Sequence, residues 1–247
     1  LTPDRFSGID RVYHLGEYSR VEQSFADIEL VHKFNCEGTT RVLECVRAWD
    51  AKLVYSGSST KFADTDDGYV MSPYAWSKAR NTELVKQYGE WFGIDYAITY
   101  FYNVYGPREI KDGPYATLIA KYAKLKSDGK ALPIVMPGTQ ERNFTYIDDI
   151  VNGVTKIIEK NIDSREHYKI YNIGNNKTES LQDFITTIEK ALGKEAIKEM
   201  YPMQQGDVPR TFANIDNLID DFGYKPSTSI NKGLVEFIKW YKKYINE

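Results

Sequence analysis

Strand-length apolar runs alternate with helix-length stretches along most of this chain, and that alternation constrains its fold more than any other feature. The run Asp10 to Gly16 (DRVYHLG) precedes a helical stretch from about Val21 to Trp49, and a second strand follows at Lys52 to Ser56 (KLVYS). Its continuation Gly57, Ser58, Ser59, Thr60 reads as a loop. Ser72-Pro73 then opens a helix to about Phe92, with proline favoured in the first turn. Ile94 to Phe101 reads as a third strand, followed by a loop at Gly106-Pro107, a helix Tyr115 to Lys126, a strand Leu132 to Met136 and a helix Asp148 to Glu159. Such an order predicts βαβ units and a parallel sheet covered by helices, hence an α/β fold. Beyond about Lys160 the pattern loosens into a short strand (Lys169 to Ile173), a helix opened by the box-like Ser180 to Asp183, and a terminal helix from about Lys232. This predicts a smaller mixed lobe.

Composition narrows the classes of function. Thirty-two lysines and arginines face 35 aspartates and glutamates, with both signs interspersed, so no basic stripe points to nucleic acid. No apolar stretch approaches the roughly 20 residues that a membrane helix needs. Cys36 and Cys45 make no metal-ligand spacing, and His14, His32 and His167 are scattered, which argues against a zinc site or a disulfide scaffold. No signal peptide is recognisable, although the chain starts at Leu1 rather than Met, and the expected location is cytoplasmic.

In an open parallel sheet, ligands sit at the carboxyl ends of the strands, which directs attention to the loops His14 to Ser19, Ser56 to Thr60 and Tyr102 to Arg108. No G-x-G-x-x-G turn or P-loop occurs in the sequence. The pattern Tyr-x-x-x-Lys occurs at Tyr74/Lys78 and at Tyr122/Lys126, a spacing that puts both side chains on one helix face. With 19 tyrosines the pattern recurs by chance, so context must choose between the two. Tyr122 lies among Leu118, Ile119 and Leu125 and reads as a packing residue, whereas Tyr74 follows a strand and a serine loop. A phenol is a poor base at neutral pH, and a lysine ammonium one turn away favours its phenolate. Ser58 could hold a reacting hydroxyl in line, an arrangement suited to taking a proton from an alcohol as hydride leaves its carbon.

Seven runs carry a wider resemblance: Tyr13 to Gly16, Asn35 to Thr39, Ser56 to Thr60, Ser72 to Lys78 (SPYAWSK), Tyr102 to Pro107 (YNVYGP), Arg142 to Asp149 (RNFTYIDD) and Gly206 to Val208. In order and spacing they resemble the extended short-chain dehydrogenases that act on nucleotide sugars, most closely the UDP-glucose 4-epimerases. The resemblance implies a Rossmann-like sheet, with residues 1–160 as the truncated NAD-binding and catalytic domain and 161–247 mainly as the substrate lobe, about an approximate boundary across which segments can interleave. It implies NAD as cofactor, a UDP-sugar as substrate, and a homodimer formed through the helices around Val31 to Arg47 and Tyr74 to Trp91. Ser58, Tyr74 and Lys78 match the catalytic triad. Leu15, Gly16, Asn35, Ser56 and Tyr102 fall with Tyr74 and Lys78 on the cofactor side, while Ser58, Asn103, Arg142, Gln204 and Asp207 fall on the substrate side.

The departures from the family pattern are specific. After Leu15 the family usually has two small residues, and this chain has Gly16 and Glu17; Ser19 stands where some epimerases carry a lysine. Gln204 lies where UDP-galactose epimerases usually have an arginine, a pattern closer to glucuronate epimerases. Dehydrating relatives place Asp-Glu after the catalytic hydroxyl, but here those positions are Ser59 and Thr60, so C4 epimerisation is favoured over dehydration. Leu1 aligns shortly before the family's fourth strand, which implies that about 60 residues, the first strands and the glycine-rich turn included, are missing and that the chain by itself is an inactive fragment. The alternatives are a non-catalytic nucleotide-sugar-binding module of the same fold, or a related dehydratase or reductase.

Overall fold

A computed structural model of the protein describes residues 2–59, 72–110, 113, 118–135, 139–159, 170–193, 195, 197–202 and 210–245. In chain order these residues form β1 (Arg11–His14), a 3-10 turn (Gln23–Phe25), α1 (Ile28–Val31), a π-helical stretch (His32–Glu37), α2 (Gly38–Trp49), β2 (Lys52–Ser58), α3 (Pro73–Phe92) and β3 (Tyr96–Phe101). There follow β4 (Val104–Tyr105), α4 (Leu118–Ser127), β5 (Leu132–Val135), β6 (Glu141–Arg142), β7 (Thr145–Tyr146), α5 (Ile147–Glu159) and β8 (Ile170–Ile173). The last elements are β9 (Glu179–Ser180), α6 (Leu181–Leu192), β10 (Lys198–Tyr201), α7 (Asp216–Phe222) and α8 (Ile230–Ile245).

The chain divides into two interleaved units. The first comprises Leu1–Phe101, Asn152–Ile173 and Asp216–Tyr224; the second comprises Tyr102–Val151, Gly174–Ile215 and Lys225–Glu247. The sequence reading places an approximate boundary near residue 160 and allows the segments of the two regions to interleave. Local patterning shows which elements form, but not which distant segments pack together.

The first unit is built on a four-stranded sheet of order β1-β2-β3-β8, in which every neighbouring pair is parallel. Leu53, Val54 and Tyr55 in β2, Ile98 in β3 and Tyr171 and Ile173 in β8 are buried, as expected for strands covered on both faces. α3 starts where its sequence dictates: the Ser72 hydroxyl accepts from the Ala75 amide at 3.1 Å, Pro73 fills the first turn, and Gly93 in the left-handed region ends the helix. The expected helix from Val21 begins only at Ile28, because Ser24 bonds the Val21 carbonyl at 2.5 Å and the chain before it closes a 3-10 turn. β2 runs two residues beyond its expected end: Gly57 and Ser58 pair with Tyr100 and Phe101, so Ser58 is a strand residue and not a loop residue.

The second unit has its own core, with Tyr105, Tyr122, Phe144, Phe184, Leu234 and Phe237 at its centre. Phe144 and Phe184 stack at 4.8 Å, and the Tyr122 hydroxyl donates to the Pro133 carbonyl at 2.5 Å. Tyr122 is thus the packing residue that its apolar neighbours predicted. β5 falls on the strand expected from Leu132, whereas its partner β10 is too polar, and the pairs β4·β7 and β6·β9 too short, to stand out by periodicity.

Gly57 lies between Ser56 and Ser58, directly opposite Tyr100 in the sheet register. A methyl group there would come within 2.5 Å of Tyr100 Cε1 and 2.8 Å of Cδ1. Gly57→Ala is expected to lose about 1–3 kcal/mol of stability by overpacking. Urea unfolding checks this, and an unchanged midpoint would contradict the packing described.

Candidate active site

The carboxyl ends of β1 and β2 and the first turns of α3 gather a polar cluster inside the first unit. α3 presents Tyr74, Lys78 and Asn81 at four- and three-residue intervals, hence on one face. All three are buried, and Ser56 and Ser58 at the end of β2 are buried too. The Lys78 ammonium donates to the Ser56 carbonyl at 2.6 Å and sits 5.3 Å from the centroid of the Tyr55 ring.

Glu17 completes the cluster. It forms a salt bridge to Lys78 Nζ, with the two side chains only 1% and 5% exposed for Glu17 and Lys78 respectively. Its Oε1 accepts from Asn81 Nδ2 at 2.7 Å, from the Thr39 hydroxyl at 2.9 Å and from the Tyr55 hydroxyl at 3.3 Å. A buried charge is tolerated when it is paired and its lone pairs are filled, and both conditions are met here. The Thr39 hydroxyl spends its one proton on Glu17, so in its 2.8 Å contact with His14 Nε2 the imidazole is the donor. Asn81 Nδ2 also donates to the Asn35 carbonyl at 3.0 Å.

Asn35 lies within the π-helical stretch, a local departure that often marks functional sites. Its side chain is fully buried, accepts from the Tyr18 amide at 2.7 Å, and donates to the Tyr18 carbonyl at 3.1 Å and to the Ser77 hydroxyl at 2.8 Å. Asn35 therefore pins the loop that carries Glu17 to α3.

The electrostatic effects follow from this burial. Burial pushes the Tyr55 phenol well above its ordinary value, and the Glu17 charge adds to the effect, so Tyr55 remains a donor. Burial, with Glu17 and Glu37 adding, pushes the Cys36 thiol up as well. Burial pushes the His14 imidazole down; Lys78 adds to the shift and Glu17 opposes it.

The other expected residues divide by unit. Leu15 and Gly16 are exposed just after β1, beside Glu17. Tyr102, buried directly after β3, opens the second unit. In the second unit the Asn103 amide donates to the Asn143 carbonyl at 3.0 Å and to the Thr211 hydroxyl at 3.1 Å, while Arg142 in β6 donates to the Glu141 carbonyl at 3.0 Å. Gln204 and Asp207 lie outside the described residues. Sequence reasoning noted Glu17 only as a departure, named His14 and Thr39 without giving either a role, and did not single out Asn81. The available signals were a carboxylate in a loop flanked by apolar strand residues and the shared spacing of positions 74, 78 and 81.

Comparisons with known proteins bear on the family and the fold. Residues 3–174 match the family described as NAD dependent epimerase/dehydratase. An uncharacterized protein of Methanocaldococcus jannaschii is 36% identical over 243 residues, covering 94% of this chain and 72% of that protein. A probable UDP-glucuronate 4-epimerase of Rhizobium meliloti is 29% identical over 255 residues, covering 93% and 74% respectively. The UDP-glucuronic acid 4-epimerase of Bacillus cereus, crystallised with UDP-glucuronic acid and NAD, has a TM-score of 0.87 at 28% identity, covering 96% of this chain and 76% of that one. That similarity bears out the expected α/β fold with its Rossmann-like parallel sheet.

A buried neutral imidazole makes the folded state bind fewer protons than the unfolded one. His14 therefore costs stability as pH falls below about 6.5, the ordinary histidine value, and has no such effect above it. Melting temperatures at pH 7.5 and 5.5 should fall more steeply for the unsubstituted protein than for His14→Gln; equal slopes would contradict a neutral His14.

Proposed function

The chain belongs to the NAD-dependent epimerase/dehydratase family, and on that premise we propose that it inverts C4 of a nucleotide-diphosphate sugar through a 4-keto intermediate, with Ser58, Tyr74 and Lys78 as its catalytic groups. The observation that carries the reading is Tyr74 one turn before a buried Lys78 on α3, beside a β2 terminus that ends in Ser58. The absence of a carboxylate at Ser59 and Thr60 favours epimerisation over dehydration.

The chemistry of the groups around Lys78 suits the nicotinamide ribose of NAD. An ammonium has three donors, of which Glu17 and the Ser56 carbonyl take two, and the third serves a ribose hydroxyl. Bound NAD supplies the acceptor and then the donor of hydride at C4. Tyr74 takes the proton of the sugar 4-hydroxyl and returns it, acting as base and then as acid. Ser58 holds that hydroxyl in line with Tyr74. Leu15, Gly16, Asn35 and Tyr102 shape the cofactor side, and Asn103, Arg142, Gln204 and Asp207 hold the sugar nucleotide.

The substrate proposed is of the UDP-glucose/UDP-galactose type. UDP-glucuronate is a second reading, favoured by the names of the relatives from Rhizobium meliloti and Bacillus cereus. Assays of the natural gene product with both substrates separate the two readings. Tyr74→Phe should lower turnover by roughly two to four orders of magnitude, the usual worth of general acid–base catalysis, with little change in melting temperature. Retained turnover would overturn the assignment. UDP binding with no NADH binding would favour the non-catalytic alternative.

A homodimer is proposed through the helices around Val31 to Arg47 and Tyr74 to Trp91, where Phe34, Trp76 and Trp91 are exposed aromatic side chains. Sedimentation should give a dimer, and a single monomeric boundary would refute the pairing.

A further inference from the structure

The sequence reading treats Lys78 as a cation acting on Tyr74, but the structure puts a counter-charge against it. Glu17 and Lys78 form a buried ion pair, and the remaining donors on Glu17 are Asn81, on α3 with Lys78, Thr39 on α2 and Tyr55 on β2. The titratable groups facing the pair are His14 from β1, Cys36 from the π-helical stretch, Tyr55 from β2 and Tyr74 from α3. Burial favours the uncharged forms of His14, Cys36 and Tyr55, so the pair closes its own charge balance.

We propose that Glu17 is a positioning residue of the proton-transfer site: its carboxylate clamps the Lys78 ammonium against the Ser56 carbonyl and cancels its charge, so that Lys78 offers its third N–H to a bound ribose and acts on Tyr74 only electrostatically, from within a neutral pair. The inference rests on the reading of Tyr74 as the proton acceptor. It assigns to the chain's departure after Leu15 a defined consequence. A neutral pair stabilises a developing phenolate less than a bare ammonium does, so turnover depends on a more alkaline solution than it would without Glu17.

Glu17→Gln keeps the size of the side chain and removes its charge. The acidic limb of the pH profile of kcat should move about one pH unit lower, a tenfold change in proton affinity, whereas Glu17→Asp, which keeps the charge, should leave the limb in place. A purely structural role would weaken both variants without moving the limb, and an unmoved limb in Glu17→Gln overturns the proposal. A second measurement needs neither sugar nor cofactor. Glu17→Gln and Lys78→Met should each lower the melting temperature by leaving a buried polar group without its partner, and the double variant should recover much of the loss. Additive losses overturn the clamp whether or not a UDP-sugar is turned over. Absence of turnover in the unsubstituted protein, with a non-additive cycle, overturns only the functional reading.

Discussion

The salt bridge between Glu17 and Lys78 is the interaction on which the arrangement of the first unit depends. Two charges with almost no solvent contact are tolerable only if they meet each other and their remaining hydrogen-bonding capacity is filled. That requirement brings Thr39, Tyr55 and Asn81 onto one carboxylate and the Ser56 carbonyl onto one ammonium. It also explains the order around the loop after β1: Asn35, held in a π-helical turn, grips both backbone polar groups of Tyr18, the residue next to Glu17. Tyr74 and Ser58 thus stand on a scaffold fixed by polar contacts as well as by the apolar faces of the sheet.

Much of this was legible in the sequence because it depends on local rules. The Ser72-Pro73 start of α3, the apolar strand at Lys52 and the one-turn spacing of Tyr74 and Lys78 follow from capping chemistry, burial and helical periodicity. The rejection of Tyr122 followed from its apolar neighbours, and its place in the second core agrees. Ser58 was misplaced in a loop because a Gly-Ser-Ser run reads as a turn, whereas pairing with Tyr100 and Phe101 extends the strand. The partnership of Glu17 with Lys78 spans 61 residues and leaves no periodic trace. The π-helical turn at Asn35 has no propensity signature, since it is set by a buried amide that reaches Tyr18 and Ser77.

The second unit shows the same use of buried amides. Asn143 is fully buried; its Nδ2 donates to the carbonyls of Asn175 and Lys177, its Oδ1 accepts from the Asn175 amide at 3.0 Å, and its own amide donates to the Thr211 hydroxyl at 3.1 Å. Gly174 follows from the same crowding, because a methyl group there would fall 2.8 Å from Asn143 Oδ1. Asn103, though exposed, is tied to this network through Asn143 and Thr211, so its side chain is held in place by a backbone and a hydroxyl partner. Asn103, expected on the substrate side, thus starts from a position set by protein contacts.

The central claim is that a hydrogen leaves C4 as hydride, is held, and returns to the opposite face of the same carbon. The most direct measurement follows a UDP-sugar labelled with deuterium at C4, in the glucose and glucuronate series, through incubation with the natural gene product. The account predicts the C4 epimer with unchanged mass and the deuterium still at C4. Loss of the deuterium to solvent, or a product lighter by one water, would contradict it.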